Sequence, residues 1–161
     1  METKTQDTTP AKKRAELMNL SNANLIFADS AEDVRGRKVL DADQQEIGHV
    51  NGLLVDDQEH KVRFIQVASG GFLGLGERTI LVPIDAIKSV DAKHVHIDLA
   101  REHIAGAPPY DPDLEEESYY ANVYGYYGYT PFWGMGYSYP IFPYMPPLVN
   151  REQEDEPSQQ K

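Results

Sequence analysis

The sequence predicts an all-β protein: a small, strongly bent antiparallel β-barrel with short helical turns and disordered segments at both ends. Three observations predict it. Between residues 24 and 107, short apolar runs alternate with turn residues and no long helical period intervenes. Several runs are apolar on both sides, as at Val62, Phe64, Ile65 and Val67, which suits strands that curl better than a flat, one-sided sheet. The composition then breaks at Pro108-Pro109: all ten tyrosines and the single tryptophan lie beyond it.

Taken in order, residues 1–23 are polar, have no convincing period, and are expected to form a flexible arm. Leu25–Ala28 is a short first strand. Ser30-Ala-Glu-Asp33 has capping-box spacing with Asp in the Glu/Gln place, predicting one helical turn that ends at Gly36. Lys38–Leu40 leads through the polar turn Asp41-Ala-Asp43-Gln-Gln45 into the long strand Glu46–Asp56. Gly48 and Gly52 inside it are expected to serve a bulge or tight bend. The acidic turn Asp57-Gln-Glu-His60 precedes Val62–Ser69, and Thr79–Pro83 follows a glycine-rich connection. His94–Leu99 has a clean period of two, with Val95, Ile97 and Leu99 on one face and His94, His96 and Asp98 on the other. Ala100–Ala105 adds a helical turn that Gly106 and the prolines stop. Val39, Ile47, Val50, Leu54, Val55, Phe64, Ile65, Val67, Ile80, Val82, Ile87, Val95, Ile97 and Leu99 are expected to dominate the core.

Five segments in this order carry a resemblance: Gly36-Arg-Lys-Val-Leu-Asp41, Glu46-Ile-Gly48-His-Val50, Leu53-Leu-Val-Asp56, Gly70-Gly-Phe-Leu-Gly-Leu-Gly76 and Leu81-Val-Pro83-Ile-Asp-Ala-Ile87. Together they resemble the PRC-barrel domain, shared by the cytoplasmic part of the photosynthetic reaction-centre H subunit and the C-terminal part of a ribosome maturation factor. The resemblance covers about residues 25–110. It lacks the H subunit's transmembrane anchor and the maturation factor's preceding domain, and is most similar to the stand-alone bacterial PRC-barrel proteins. It implies the fold and an adaptor role, but no reaction. The chain divides accordingly into an arm (1–23), a PRC-barrel-like domain (24–110) and an acidic Tyr/Gly/Pro-rich tail (111–161).

Composition narrows the chemistry. A net charge of −11 and an isoelectric point near 4.8 argue against a nucleic-acid partner, whose phosphates demand positive charge. No cysteine is present, so disulfides, thiolate catalysis and Cys-based metal sites are excluded. No stretch is long and apolar enough for a transmembrane helix, and residues 1–20 lack the apolar run of a secretory signal, so a cytoplasmic location is expected.

No motif defends a catalytic set. The Gly70–Gly76 run is followed by a strand instead of a helix, with no lysine in the Walker position. It reads as a hairpin connection whose Phe72 and Leu73 cover a barrel end, with Phe72, Leu73 and Leu75 as candidate contact residues. Asp41-Ala-Asp43 opens like a calcium loop, but Glu46 and Gly52 stand where Gly and Glu are required. Asp56, Asp57 and Glu59 are expected to point into water. His94 and His96 share a strand face and could hold zinc with His103 folding back as a third ligand; a solvated outer face is the simpler reading.

In the tail, aromatics recur with Gly and Pro and almost no aliphatics, without interleaved Arg or Lys for stacking on single-stranded nucleic acid. A mostly disordered, separable tail is expected, self-associating through rings such as Tyr126, Tyr127 and Trp133. The opposing arrangement folds Phe132, Trp133 and Phe142 back to cap an open barrel end. The reading is therefore a non-enzymatic adaptor or scaffold that needs no cofactor and docks on an unidentified protein. The alternative is a small-ligand or metal sensor using the glycine loop or His94 and His96.

Overall fold

A computed structural model describes residues 16–70, 77–114, 117–140 and 148–150. In chain order the strands are β1 (Leu17–Asn19), β2 (Leu25–Ile26), β3 (Lys38–Leu40), β4 (Glu46–Asp56), β5 (Val62–Gly70), β6 (Glu77–Pro83), β7 (Ile87–Val90) and β8 (His94–Ile97). The helices α1 (Arg101–Ala105) and α2 (Glu117–Tyr127) and the short strand β9 (Val149–Asn150) follow.

The main sheet runs β6-β5-β4-β3-β8-β7, with β1 also paired to β4. β4 is its spine: its first half pairs with β3, its last three residues with β1, and most of its length with β5. The ladder register slips opposite Gly48, between Val50 and Gly52, and again between Leu54 and Val55, so two of the three irregularities fall where the glycines stand. Gly48 adopts φ +154°, and a Cβ there would collide with the Ala68 carbonyl on β5. No other residue type permits that approach.

The expected antiparallel barrel is corrected in two respects. The sheet is mixed, because β3 and β8 pair in parallel, Lys38 with His94 through Leu40 with His96. The β7–β8 hairpin reverses the chain once more before it reaches the β3 edge, and that reversal fixes the direction. The sheet also remains a curled half-barrel: β6 and β7, its two edges, are joined by a single 3-10 turn (Ile84–Ala86), and no ladder connects them among the described residues. The β6 edge is covered instead by the chain after α1. The Tyr110 N–H donates to the Thr79 carbonyl (2.8 Å), and the Arg78 guanidinium donates to the Ala105 and Ala107 carbonyls. An edge so occupied is closed to further pairing.

Every residue expected in the core is buried except Leu99, which is half-buried. The helical turn at Ser30 is a 3-10 turn over Ser30–Glu32, capped by the Asp29 side chain instead of Ser30, and α1 matches the turn expected before Gly106.

Parts of both flanking segments, expected as a flexible arm and a separable tail, contribute to the fold. Residues 17–19 of the arm form β1 on the last residues of β4, and Leu20 is buried. In the tail, Tyr120, Val123, Tyr124 and Tyr127 recur at i, i+3, i+4 and i+7 and form the buried face of α2. The helix ends in a Schellman arrangement: Gly128 has φ +84°, and the Tyr129 N–H returns to the Tyr124 carbonyl at 3.0 Å. Tyr124 and Tyr120 pack on Phe64 of β5, with ring centroids 4.9 and 5.7 Å away. The aliphatic partners missing from the tail are supplied by the sheet. Leu148 is buried and β9 pairs with β2, so the chain is tied back again about twenty residues after α2. Residues 141–147, including Phe142, and 151–161 lie outside the described residues.

Candidate functional site

One end of the half-barrel carries a groove of about 540 Å³ lined by Arg35, Gly36, Arg37 and Lys38 on one side and Ala92, Lys93 and His94 on the other. The parallel β3–β8 pairing creates it, because it sets the start of β3 beside the β7–β8 turn. Gly36 lets the chain turn into β3 at φ +91°. Arg37 forms the floor: its guanidinium donates to the Asp91 carbonyl (2.8 Å) and the Ala31 carbonyl (2.6 Å). Both acceptors are backbone carbonyls on separate segments, and together they fix the position of the guanidinium. Arg35 is paired with Asp33 at 2.6 Å; burial opposes ionisation of that carboxyl, but the Arg35 hydrogen bonds hold it below its usual value. Lys38 reaches toward Glu46 at 3.6 Å, an exposed pair of little strength.

At the rim of the groove the β7–β8 turn gathers three ligand-type side chains. His94 and His96 point outward while Val95 and Ile97 fill the core, as the period of two requires. Asp91 folds back under them. Its Oδ1 accepts the backbone N–H groups of Lys93 (2.9 Å) and His94 (2.8 Å) and lies 3.1 Å from His94 Nδ1, while Oδ2 lies 3.0 Å from His96 Nε2. These bonds, His96 foremost, hold the Asp91 carboxyl well below the usual carboxylate range. The third member of the cluster is therefore Asp91 and not His103. His103 sits on α1, stacked on Tyr126 at 4.5 Å with Nε2 3.2 Å from the Tyr126 carbonyl. The signal that could have found Asp91 is its place three residues before His94 in a tight turn.

Of the expected contact residues, Phe72, Leu73 and Leu75 lie outside the described residues. Tyr127 is buried on α2, Tyr126 is held by His103, and Trp133 packs edge-on against Tyr124 (5.9 Å) and Phe132 (5.1 Å). All three rings pack within the chain, Tyr126 and Trp133 keeping part of their surface exposed. Met135, between Gly134 and Gly136, is the large apolar side chain that the same segment exposes fully.

Sequence reasoning also missed a buried ionic cluster that anchors this aromatic segment. Asp56 is fully buried instead of solvated: Oδ2 bonds Arg63 Nε at 2.7 Å, and Oδ1 caps the turn by accepting the Gln58 and Glu59 N–H groups. Arg63, 3% exposed, also reaches Glu59 at 2.9 Å and lies under the ring of Phe132 (4.4 Å), beside those of Tyr139 (5.4 Å) and Tyr137 (5.9 Å). The Tyr139 hydroxyl donates to the Val62 carbonyl at 2.9 Å. Asp85 Oδ1 and the Tyr137 hydroxyl are buried without well-formed hydrogen bonds, yet they face each other: burial and then the Asp85 charge push the Tyr137 phenol up. Asp41, buried as well, caps its own turn, where Oδ1 accepts the Asp43 and Gln45 N–H groups while Oδ2 is buried without a hydrogen-bond partner.

Among the described residues no helix is long and apolar enough to cross a membrane. No curated protein matches the chain. Residues 28–104, from the segment before β3 to the end of α1, match the model of the PRC-barrel domain, and both the groove and the histidine cluster fall inside that span. Sequence pattern, curled sheet and family match agree in supporting a PRC-barrel domain over residues 28–104, a little under half of the chain.

Proposed function

We propose that this chain is a non-enzymatic adaptor that docks an acidic segment of another protein in the groove between β3 and the β7–β8 turn. A fold by itself assigns no function; the reading is carried by the groove, where Arg35, Arg37, Lys38 and Lys93 converge on a chain whose net charge is −11. Cations gathered against the overall charge orient an acidic partner toward one face. The immobilised Arg37 supports the reading, because a pre-positioned cation loses little entropy on binding. So do the buried carboxylates Asp56 and Asp41, whose hydrogen bonds serve turns and an internal ion pair.

The test is fluorescence anisotropy of a labelled oligoglutamate peptide titrated with the full chain. Saturable binding that weakens with salt is expected, about tenfold weaker for the Lys38→Ala/Lys93→Ala double variant, equivalent to about 1.4 kcal/mol. Equal affinity of the two proteins, or equal binding of an oligolysine peptide, overturns the reading.

A further inference from the structure

We propose that Asp91, His94 and His96 form a binding site for a divalent late first-row metal ion of the zinc class. The three ligand atoms lie within 4.8 Å of one another, with the two Asp–His separations at 3.0 and 3.1 Å. A tetrahedral ion with bonds of about 2.0–2.1 Å spaces its ligand atoms about 3.3 Å apart. The two Asp–His separations, each through a different Asp91 oxygen, fall just short of that spacing and no pair of ligand atoms is wider than 4.8 Å, so an ion replaces the two Asp–His contacts by side-chain rotation on the hairpin.

The ligands are also held. His94 and His96 are two residues apart on a strand whose alternate residues, Val95 and Ile97, are locked in the core. The Asp91 carboxylate is oriented by the Lys93 and His94 N–H groups, the kind of outer hydrogen bonding that fixes a metal ligand in place. Two imidazoles and one carboxylate select zinc, cobalt, nickel or copper over calcium or magnesium, which take all-oxygen sites. The three side chains run from 18% exposed at His96 to 54% at Asp91, leaving a coordination position open to solvent beside the groove that His94 also lines. Arg37 and Lys93 oppose a cation here, and with three protein ligands the expected affinity is micromolar.

The inference is independent of the docking reading, because its test uses only the metal. Zinc sulfate is titrated into the full chain by calorimetry, and cobalt chloride is followed by its visible absorption. One saturable ion per chain is expected, with zinc raising the melting temperature until EDTA removes it. His94→Ala and His96→Ala should each weaken binding at least about tenfold, Asp91→Asn should do the same, and His103→Ala should leave it unchanged. Asp91 and His94 are the more exposed of the three and His96 the more enclosed, and matching far-UV spectra confirm that each variant folds. If one fails to fold, nickel-induced broadening of amide NMR signals in the wild-type chain replaces it and should centre on residues 91–96. Absence of saturable binding, binding unaffected by the His94 and His96 substitutions, or broadening centred elsewhere overturns the proposal.

Discussion

Replacing Tyr124 by Ala tests whether the aromatic segment belongs to the fold. The ring is completely buried, 4.9 Å from Phe64 and edge-on to Trp133 at 5.9 Å. A buried aromatic ring removes about 150–250 Å² from water, and deleting one leaves a cavity under the helix, at a typical cost of about 3–5 kcal/mol. For a chain of 161 residues, each kcal/mol corresponds to about 2–4 °C, so the midpoint should fall by roughly 6–20 °C. Tyr124→Phe separates ring from hydroxyl. That hydroxyl is buried without a well-formed hydrogen bond, so its removal should change stability by less than about 1 kcal/mol. If the Ala variant leaves too little folded protein to melt, Tyr124→Leu retains most of the apolar contact and should fall between the two. The assay is thermal unfolding followed by circular dichroism, together with the emission of the single tryptophan, which should shift to the red when Tyr124 is removed. An Ala variant that melts within about 2 °C of the wild type, with unchanged Trp133 emission, would refute the docking of α2 and restore the separable tail.

Two further outcomes follow from the same packing. Asp56→Ala strands the buried Arg63 guanidinium and uncaps the turn at Gln58 and Glu59, and should cost about 3–5 kcal/mol in denaturant unfolding, more than the joint exchange Asp56→Leu/Arg63→Met; equal costs would show that the pair is not desolvated. Burial raises the phenols of Tyr124, Tyr127, Tyr137 and Tyr139 above their ordinary value. The folded chain then keeps protons that the unfolded chain releases near pH 10, so stability is complete below that pH and falls as pH rises through it. Tyrosinate absorbance should rise together with loss of near-ultraviolet dichroism, and four phenols titrating ahead of unfolding would contradict their burial.

The fold-determining part of this sequence is local. The strands at Lys38–Leu40, Glu46–Asp56, Val62–Gly70, Glu77–Pro83 and His94–Ile97, the inward faces of Val95 and Ile97, and the bulges at Gly48 and Gly52 were legible because a period of two and a glycine inside a strand are properties of a few adjacent residues, whereas the short edge strand β7 (Ile87–Val90) was not read. The family pattern was legible for the same reason. The helical period Tyr120, Val123, Tyr124, Tyr127 was equally local, but among glycines and prolines it read as low complexity, because nothing near it in sequence could complete a core. Its partner, Phe64, lies some sixty residues earlier, and only the tertiary structure supplies it.

What the fold alone decided is non-local. The parallel β3–β8 pairing depends on how many times the chain reverses before it reaches the β3 edge, and that pairing assembles the cationic groove from residues 35–38 and 92–94. The choice of Asp91 over His103 as companion to the two histidines turns on backbone N–H bonds that close the hairpin turn, while α1 carries His103 to Tyr126. A carboxylate such as Asp56 can be placed in a turn by its sequence, but whether it meets water or Arg63 depends on what is packed over that turn. Here the answer is the ring of Phe132, contributed from a distant stretch of chain, and burial under that ring makes the ion pair structural.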